Sequence, residues 1–345
     1  MSPDRTQKAV FVSKEGRDLV QRPIWSPGPG EVLIKNVCVS SNPKDWKCPL
    51  VFEGQERVEG NDVAGYVEAV GEGVTRFKKG DKVGAFTVMM TDDKYGAYAE
   101  YTISPQNTVF HLGPKTSFED AAALPLAYIT AAIGLFKRLK LPEPGEEGDR
   151  DGAVLVYGGA TTVGVYALQL LKKAGFHVVA VAGASQDVAK AYGADEVIDY
   201  RGKSEDDLAS AIAASHGGKG VTHVFDAVTE HGSTQACLGA LVKSGHGGRY
   251  TYVLPVELEE FGFLPANIKH ERTLCGTAHE DEGNFAQKWF DWVGDAIEKG
   301  EFRAQKVAVL PGGLEGVKEG LRRLQAGEVH GEKLVYRIKE TPGLG

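Results

Sequence analysis

The sequence predicts an α/β protein of two domains, one rich in β-strands and one built on a parallel sheet with helices on both faces. Three observations predict it. At 345 residues the chain exceeds one ordinary hydrophobic core. The first 110 residues read as short apolar strands bounded by Gly or Pro, and from residue 153 onward short apolar runs alternate with helical periodicity.

In the first part, residues 32–39 form an apolar run after the turn Pro27-Gly28-Pro29-Gly30, and strands follow at 63–70, 81–86 and 98–104. Between 118 and 139 the apolar spacing becomes helical, with a break near Pro125. Residues 142–152 are acidic, rich in Gly and Pro and without apolar period, and read as an exposed loop. Strands are then expected at 153–157, 177–182, 196–198, 223–227 and 249–253, with helices at 163–174, 187–192, 206–214 and 233–241 between them. Beyond 270 come a strand at 273–276, an aromatic helix at 285–297, a helix at 314–324 and a strand at 333–338.

Composition narrows the function. A hydrophobic fraction of 42% with 25% charged residues is that of a globular chain. The net charge of -8 offers no basic field for a polyanion, so nucleic acid is not an expected partner and a small molecule is. No apolar run reaches the roughly 20 residues of a membrane helix, and residues 1–8 lack a signal-peptide core, so a cytoplasmic location is expected. The four cysteines are dispersed without a C-x-x-C pair, and free thiols are expected. His216, His223, His231 and His246 fall on different expected elements with no i, i+4 pair, which argues against a metal site among them. His279 reads either as a cleft residue or as a surface one.

The chemistry begins at Gly158-Gly159-Ala160-Thr161-Thr162-Val163-Gly164, small residues between a strand and a helix. A pyrophosphate can approach the backbone there, at a helix N-terminus whose N–H groups and dipole favour negative charge. Thr161 stands where a strict G-x-G-x-x-G has glycine, and a plain tight turn is the competing reading. Gly164 is expected to let the helix pack on the strand. The second strand ends in Ala182-Gly183-Ala184-Ser185, without the carboxylate that would bind a ribose 2'-hydroxyl and repel a 2'-phosphate. NADPH is therefore the expected cofactor, with Ser185 and Tyr200 as candidates for its 2'-phosphate and Lys190 as a further cation or a solvated helix residue.

These residues, with the blocks Pro29-Gly30-Glu31-Val32-Leu33-Ile34-Lys35, Ser41-Asn42-Pro43-Lys44-Asp45-Trp46-Lys47, Gly60-Asn61-Asp62-Val63-Ala64-Gly65 and Gly331-Glu332-Lys333-Leu334-Val335-Tyr336, resemble the medium-chain dehydrogenase/reductase superfamily. The resemblance is to its zinc-free members, fungal trans-acting enoyl reductases and quinone oxidoreductases. It implies a GroES-like substrate domain from residues 1–125 and 271–345 and a Rossmann NADPH-binding domain from 126–270. It also implies a cofactor set of Asn42, Pro43, Lys47, Thr130, Gly158, Gly159, Ala160, Thr161, Thr162, Val163, Ser185, Tyr200, Val253 and Leu254.

Zinc-dependent relatives carry a Cys near 41–45 and Gly-His-Glu where this chain has Gly60-Asn61-Asp62, so no metal site is expected. Without a Lewis acid, hydride addition to a conjugated alkene fits better than carbonyl chemistry. Lys47 is then the candidate donor to the enolate, or else a solvated loop lysine. Thr130 resembles a threonine facing cofactor and substrate, with helix packing as its alternative. Asn42 reads as a turn-shaping residue beside its place in the cofactor set. The expected activity is reduction of an α,β-unsaturated thioester or ketone in secondary metabolism, with a carrier protein or synthase as possible deliverer of substrate and a monomeric or homodimeric chain. Quinone reduction and catalytically idle NADPH binding are the alternatives.

Overall fold

The computed structural model describes residues 5–54, 56–258 and 264–344. Eight strands come first: β1 (Thr6–Val12), β2 (Arg17–Pro23), β3 (Glu31–Ser40), β4 (Arg57–Val58), β5 (Asp62–Val70), β6 (Lys82–Phe86), β7 (Tyr101–Pro105) and β8 (Val109–His111). Helix α1 (Lys44–Val51) lies among them, and α2 (Phe118–Ala122) and α3 (Pro125–Ala132) follow. Next come β9 (Ala153–Tyr157), α4 (Thr162–Lys173), β10 (His177–Ala182), α5 (Gln186–Ala191), β11 (Glu196–Asp199), α6 (Glu205–Ala213), β12 (Val221–Asp226), α7 (Ser233–Ser244), β13 (Gly248–Tyr252) and β14 (Ile268–Arg272). The chain then forms α8 (Gly283–Glu298), β15 (Val307–Leu310), α9 (Gly316–Gln325) and β16 (Lys333–Arg337).

Two compact units result, Met1–Ile129 with Gly276–Gly345, and Thr130–Cys275. Residues 126–129 thus belong to the first, and α3 runs across the boundary between Ile129 and Thr130.

The first unit holds a sheet of order β15-β16-β3-β5-β6-β8, with β7 also on β3, and a small sheet β2-β1-β4. β16 joins β3 antiparallel, Val335 opposite Ser40 and Tyr336 opposite Val39, so both ends of the sequence build one sheet. Its core gathers Val32, Ile34, Val63, Val83, Tyr98, Leu321 and Tyr336. β3 is largely buried, its two apolar stretches interrupted by exposed Lys35 and buried Asn36.

The second unit is a parallel sheet of order β11-β10-β9-β12-β13-β14. The chain steps outward from β9 in one direction and then from β12 in the other. The carboxyl ends of β9 and β12 therefore flank the switch point at which such sheets bind ligands. β9 and β10 are almost wholly buried, which explains why their apolar runs were bounded correctly in the sequence.

Two sequence expectations are corrected. The strand expected at 273–276 is Ile268–Arg272, a charged edge strand in which only Ile268 is buried, while Leu274 is exposed and a 3-10 turn begins at Cys275. Polar residues on an edge protect it from further pairing and hide its strand character from a hydrophobicity reading. Lys47 does not lie on a loop: it sits within α1, a helix masked in the sequence by Pro49. No helix among the described residues is long and apolar enough to cross a membrane.

Candidate functional site

In the second unit the glycine-rich turn leaves β9. Gly158 has φ +80°, a left-handed value that favours glycine, and the N–H groups of Gly158 and Gly159 both donate to Val181 O at 3.1 and 3.0 Å. A Cβ on Gly159 would stand 2.7 Å from Ala180 Cβ, and one on Gly164 only 2.1 Å from Gly158 O. The lack of a side chain at Gly164 thus lets α4 start directly against the turn that leaves β9. Thr161, where the strict motif has glycine, has an ordinary φ of -73° and caps α4, its Oγ1 accepting from Gly164 N at 3.0 Å. The positive end of the α4 dipole lies at Thr161, Thr162 and Val163, beside Ala160. Tight backbone, small residues and a helix N-terminus at the switch point fit a dinucleotide pyrophosphate.

Beyond β10 and β11 the chain brings two expected residues into one neighbourhood. A Cβ on Gly183 would lie 2.8 Å from the Tyr200 hydroxyl, so the tyrosine ring packs against Gly183, at the start of the Gly183-Ala184-Ser185 turn. Ser185 precedes α5 and makes no side-chain cap hydrogen bond. Asp199, a carboxylate at the end of β11, is held by Arg201 through Nη2 at 2.7 Å and Nε at 3.0 and 3.1 Å, and by Gln186 Nε2 at 2.9 Å. Hydrogen bonding to Arg201 pushes its pKa down to about 2. Arg201, which the sequence reading did not single out, stands next to Tyr200 and holds Asp199, the residue that pairs with Ala182 at the end of β10.

Asp226, at the end of β12, organises the loop on the other side of the switch point. It accepts from Val228 N, Thr229 N, Ser233 Oγ and Tyr250 Oη at 3.0, 2.8, 2.6 and 3.1 Å. Burial raises its carboxyl above the usual range, against these donors. Thr229 Oγ1 in turn accepts from Val253 N at 3.0 Å, fixing the Val253-Leu254 segment. Thr130, on α3, is buried.

In the first unit, Asn42 is buried and engaged at every polar atom of its side chain. Its Nδ2 donates to Asp62 Oδ2 at 2.7 Å and its Oδ1 accepts from Lys333 Nζ at 2.6 Å. The turn is instead shaped by its backbone N–H, which donates to Asp45 Oδ2 at 2.8 Å. Lys333 Nζ also reaches Asp62 Oδ2 at 3.0 Å, and Asp62 further accepts from Ser40 Oγ at 3.0 Å and Leu126 N at 2.6 Å. Asn61 Nδ2 donates to Thr87 O, Thr87 Oγ1 and Val88 O. This donor set offers neither thiolate nor imidazole, and its one carboxylate already faces an ammonium. It does not fit a catalytic zinc.

Of the two lysines beside it, Lys44 is tied to Glu59 and to Asp45. Burial works against its charge, but those carboxylates outweigh it and raise its pKa. Lys47 is half-buried, with Nζ 5.5 Å from the centre of the Trp46 ring, and Pro43 is exposed.

Residues 28–114 match the family model of the alcohol dehydrogenase GroES-like domain, and residues 162–293 that of the zinc-binding dehydrogenase. A trans-enoyl reductase of Gibberella fujikuroi is 35% identical over 322 residues, covering 90% of this chain and 93% of its own length. A mycobacterial protein solved in complex with NADPH is similar with a TM-score of 0.77 at 25% identity, over 96% of this chain and 99% of that one. A mycobacterial quinone oxidoreductase is similar with a TM-score of 0.72 at 25% identity, over 96% and 99%. The chain belongs to the medium-chain dehydrogenase/reductase superfamily. Its two units are the GroES-like and Rossmann-type domains of that family, and it is an oxidoreductase.

Proposed function

We propose that this oxidoreductase is a zinc-independent enoyl reductase that uses NADPH to reduce the C=C bond of an α,β-unsaturated thioester or ketone, the thioester being presented by a carrier protein of a synthase. The observation that carries the reading is the donor set at Asn61 and Asp62, which leaves activation of a substrate oxygen to a hydrogen-bond donor, together with the trans-enoyl reductase relative that matches nearly the whole chain. Activation by a single donor suits conjugate reduction, where negative charge develops on an enolate oxygen.

Gly158 to Val163 hold the pyrophosphate, and Ser185, Tyr200 and Arg201 hold the 2'-phosphate, the guanidinium being the strong partner. Asp199 is compatible with that phosphate because Arg201 neutralises it. Val253 and Leu254, fixed through Thr229 and Asp226, line the cofactor site. When bound, NADPH supplies the hydride that adds to the β-carbon. The Lys47 ammonium would donate a hydrogen bond to the enolate oxygen as charge builds there, the Thr130 hydroxyl would orient the reactants, and a proton from solvent water taken up at the α-carbon would complete the reduction.

The test is NADPH consumption with a panel of enoyl thioesters, enones and quinones in the presence of a chelator. Enoyl thioesters are expected to give the highest kcat/KM, undiminished by chelation. Activity restricted to quinones would replace this reading with that of a quinone reductase, and loss of activity on chelation in a chain that stays folded would overturn a zinc-independent reaction.

A further inference from the structure

At the amino ends of the parallel strands, opposite the glycine-rich turn, three side chains converge that the oxidoreductase chemistry does not use. His177 opens β10, Glu196 opens β11, and His216 begins the 3-10 turn that follows α6. His177 Nε2 lies 2.8 Å from Glu196 Oε1, and the two imidazole rings have centroids 4.3 Å apart. One ligand atom from each residue can be chosen so that all lie within 4.8 Å of one another. Each residue is partly exposed, so an ion has access.

We propose that His177, Glu196 and His216 form a binding site for a divalent transition-metal ion of the zinc class, with water completing a tetrahedral shell. Two imidazoles and a carboxylate are a set that zinc accepts, at about 2.0 to 2.2 Å per ligand. Ligand atoms around such an ion stand roughly 3.3 Å apart, so the trio closes by side-chain rotation without moving the sheet. The ion takes the place now held by the hydrogen between His177 Nε2 and Glu196. The other ring nitrogen of His177, Nδ1, lies 3.8 Å from Asp195 Oδ2, a carboxylate able to orient the ring once Nε2 is a ligand.

The backbone supports the placement. His216 has φ +53°, an uncommon conformation for a residue other than glycine, and its N–H donates to Glu196 Oε1 at 2.9 Å. The loop is thereby anchored to the edge strand with the His216 ring over His177. Spacing along the sequence could not reveal this, because the partners of His216 lie 39 and 20 residues upstream (216 minus 177, and 216 minus 196) on neighbouring strands. An ion there ties β11, the edge of the sheet, to β10 and to the return from α6. Its role is structural, distinct from the donor set at Asn61 and Asp62.

The test uses the full chain, stripped with chelator and then titrated with zinc chloride against a chromophoric indicator, with thermal unfolding recorded in parallel. One equivalent is expected to bind with a Kd of roughly micromolar or tighter and to raise the melting temperature. His177→Ala and His216→Asn should each weaken binding at least about tenfold and abolish the thermal shift. Asparagine is chosen at 216 because it tolerates the left-handed conformation, so that loss of zinc is not loss of the loop. Absence of binding at about 100 times that concentration, or uptake equally tight in both variants, overturns the proposal.

Discussion

Arg201 grips both carboxylate oxygens of Asp199 at the end of β11, next in sequence to Tyr200, whose ring packs against Gly183. A carboxylate at the tip of this strand would by itself repel a 2'-phosphate. Paired with a guanidinium it becomes part of a dipole whose positive end can serve that phosphate. Arg201→Ala is therefore expected to raise the Kd for NADPH at least about tenfold, or about 1.4 kcal/mol, and leave NADH binding little changed. Fluorescence titration of the two cofactors reads this directly. Equal losses for both would show that Arg201 does not contact the 2'-phosphate.

Lys47 and Lys44 share a helix but not a situation. Lys44 is buried against the carboxylates of Asp45 and Glu59, and the Lys47 ammonium lies over Trp46 in a half-buried position. Lys47→Ala should slow hydride transfer by about thirty- to a thousandfold, the worth of a charged donor of roughly 2 to 4 kcal/mol, with NADPH affinity nearly unchanged. Single-turnover oxidation of bound NADPH by a saturating enoyl thioester isolates the step. A wild-type rate there would remove Lys47 from the mechanism.

The side chain of Lys333 is 3% exposed and that of its partner Asp62 not at all. Removing one member of such a pair strands the other charge, at a typical cost of about 3 to 5 kcal/mol. Lys333→Met should lose that much in urea unfolding, and the double variant Lys333→Met with Asp62→Asn should lose clearly less. Additive losses would show that the two side chains are not coupled.

Burial pushes the His279 imidazole down from its ordinary 6.5 to about 4, against the pull of its hydrogen bond to Phe86 O. The unfolded chain takes up this proton below pH 6.5, and the folded chain resists until about pH 4. The contribution, about 3 kcal/mol, is thus fully present above pH 6.5 and lost as pH falls from about 6.5 to about 4. Denaturant unfolding at pH 7 and pH 5 should show a smaller pH dependence in His279→Gln than in the parent. Identical dependence would mean that His279 titrates normally.

Legibility in the sequence followed burial. β9 and β10 are buried on both faces, so their apolar runs marked them to the residue, and the turn between β9 and α4 had to be small to avoid its own carbonyls. β14 presents charged residues because it is an edge strand, and hydrophobicity pointed a few residues past it. α1 was hidden by Pro49. At the site, Ser185 and Tyr200 could be named from strand ends, but Arg201 required knowing which strand lies beside β10. Lys333 required knowing that a lysine opening the strand Lys333-Leu334-Val335-Tyr336-Arg337 is enclosed, which its charge argues against.

The antiparallel pairing of β16 with β3 orders events during synthesis. The ribosome delivers residues 130–275, with the parallel strands β9 to β14, before it has made either β15 or β16. The middle of the gene product can therefore reach its final structure while the flanking half still lacks two strands. Until residue 337 clears the exit tunnel, the Cys38–Ser40 end of β3 lacks its partner strand and Asp62 waits for a cation encoded 271 positions later. Non-local closure of this kind is slow, because a long loop must be brought together before any contact rewards it. A nascent chain stalled short of β16 would thus expose an adhesive strand, the state in which a chaperone is most needed.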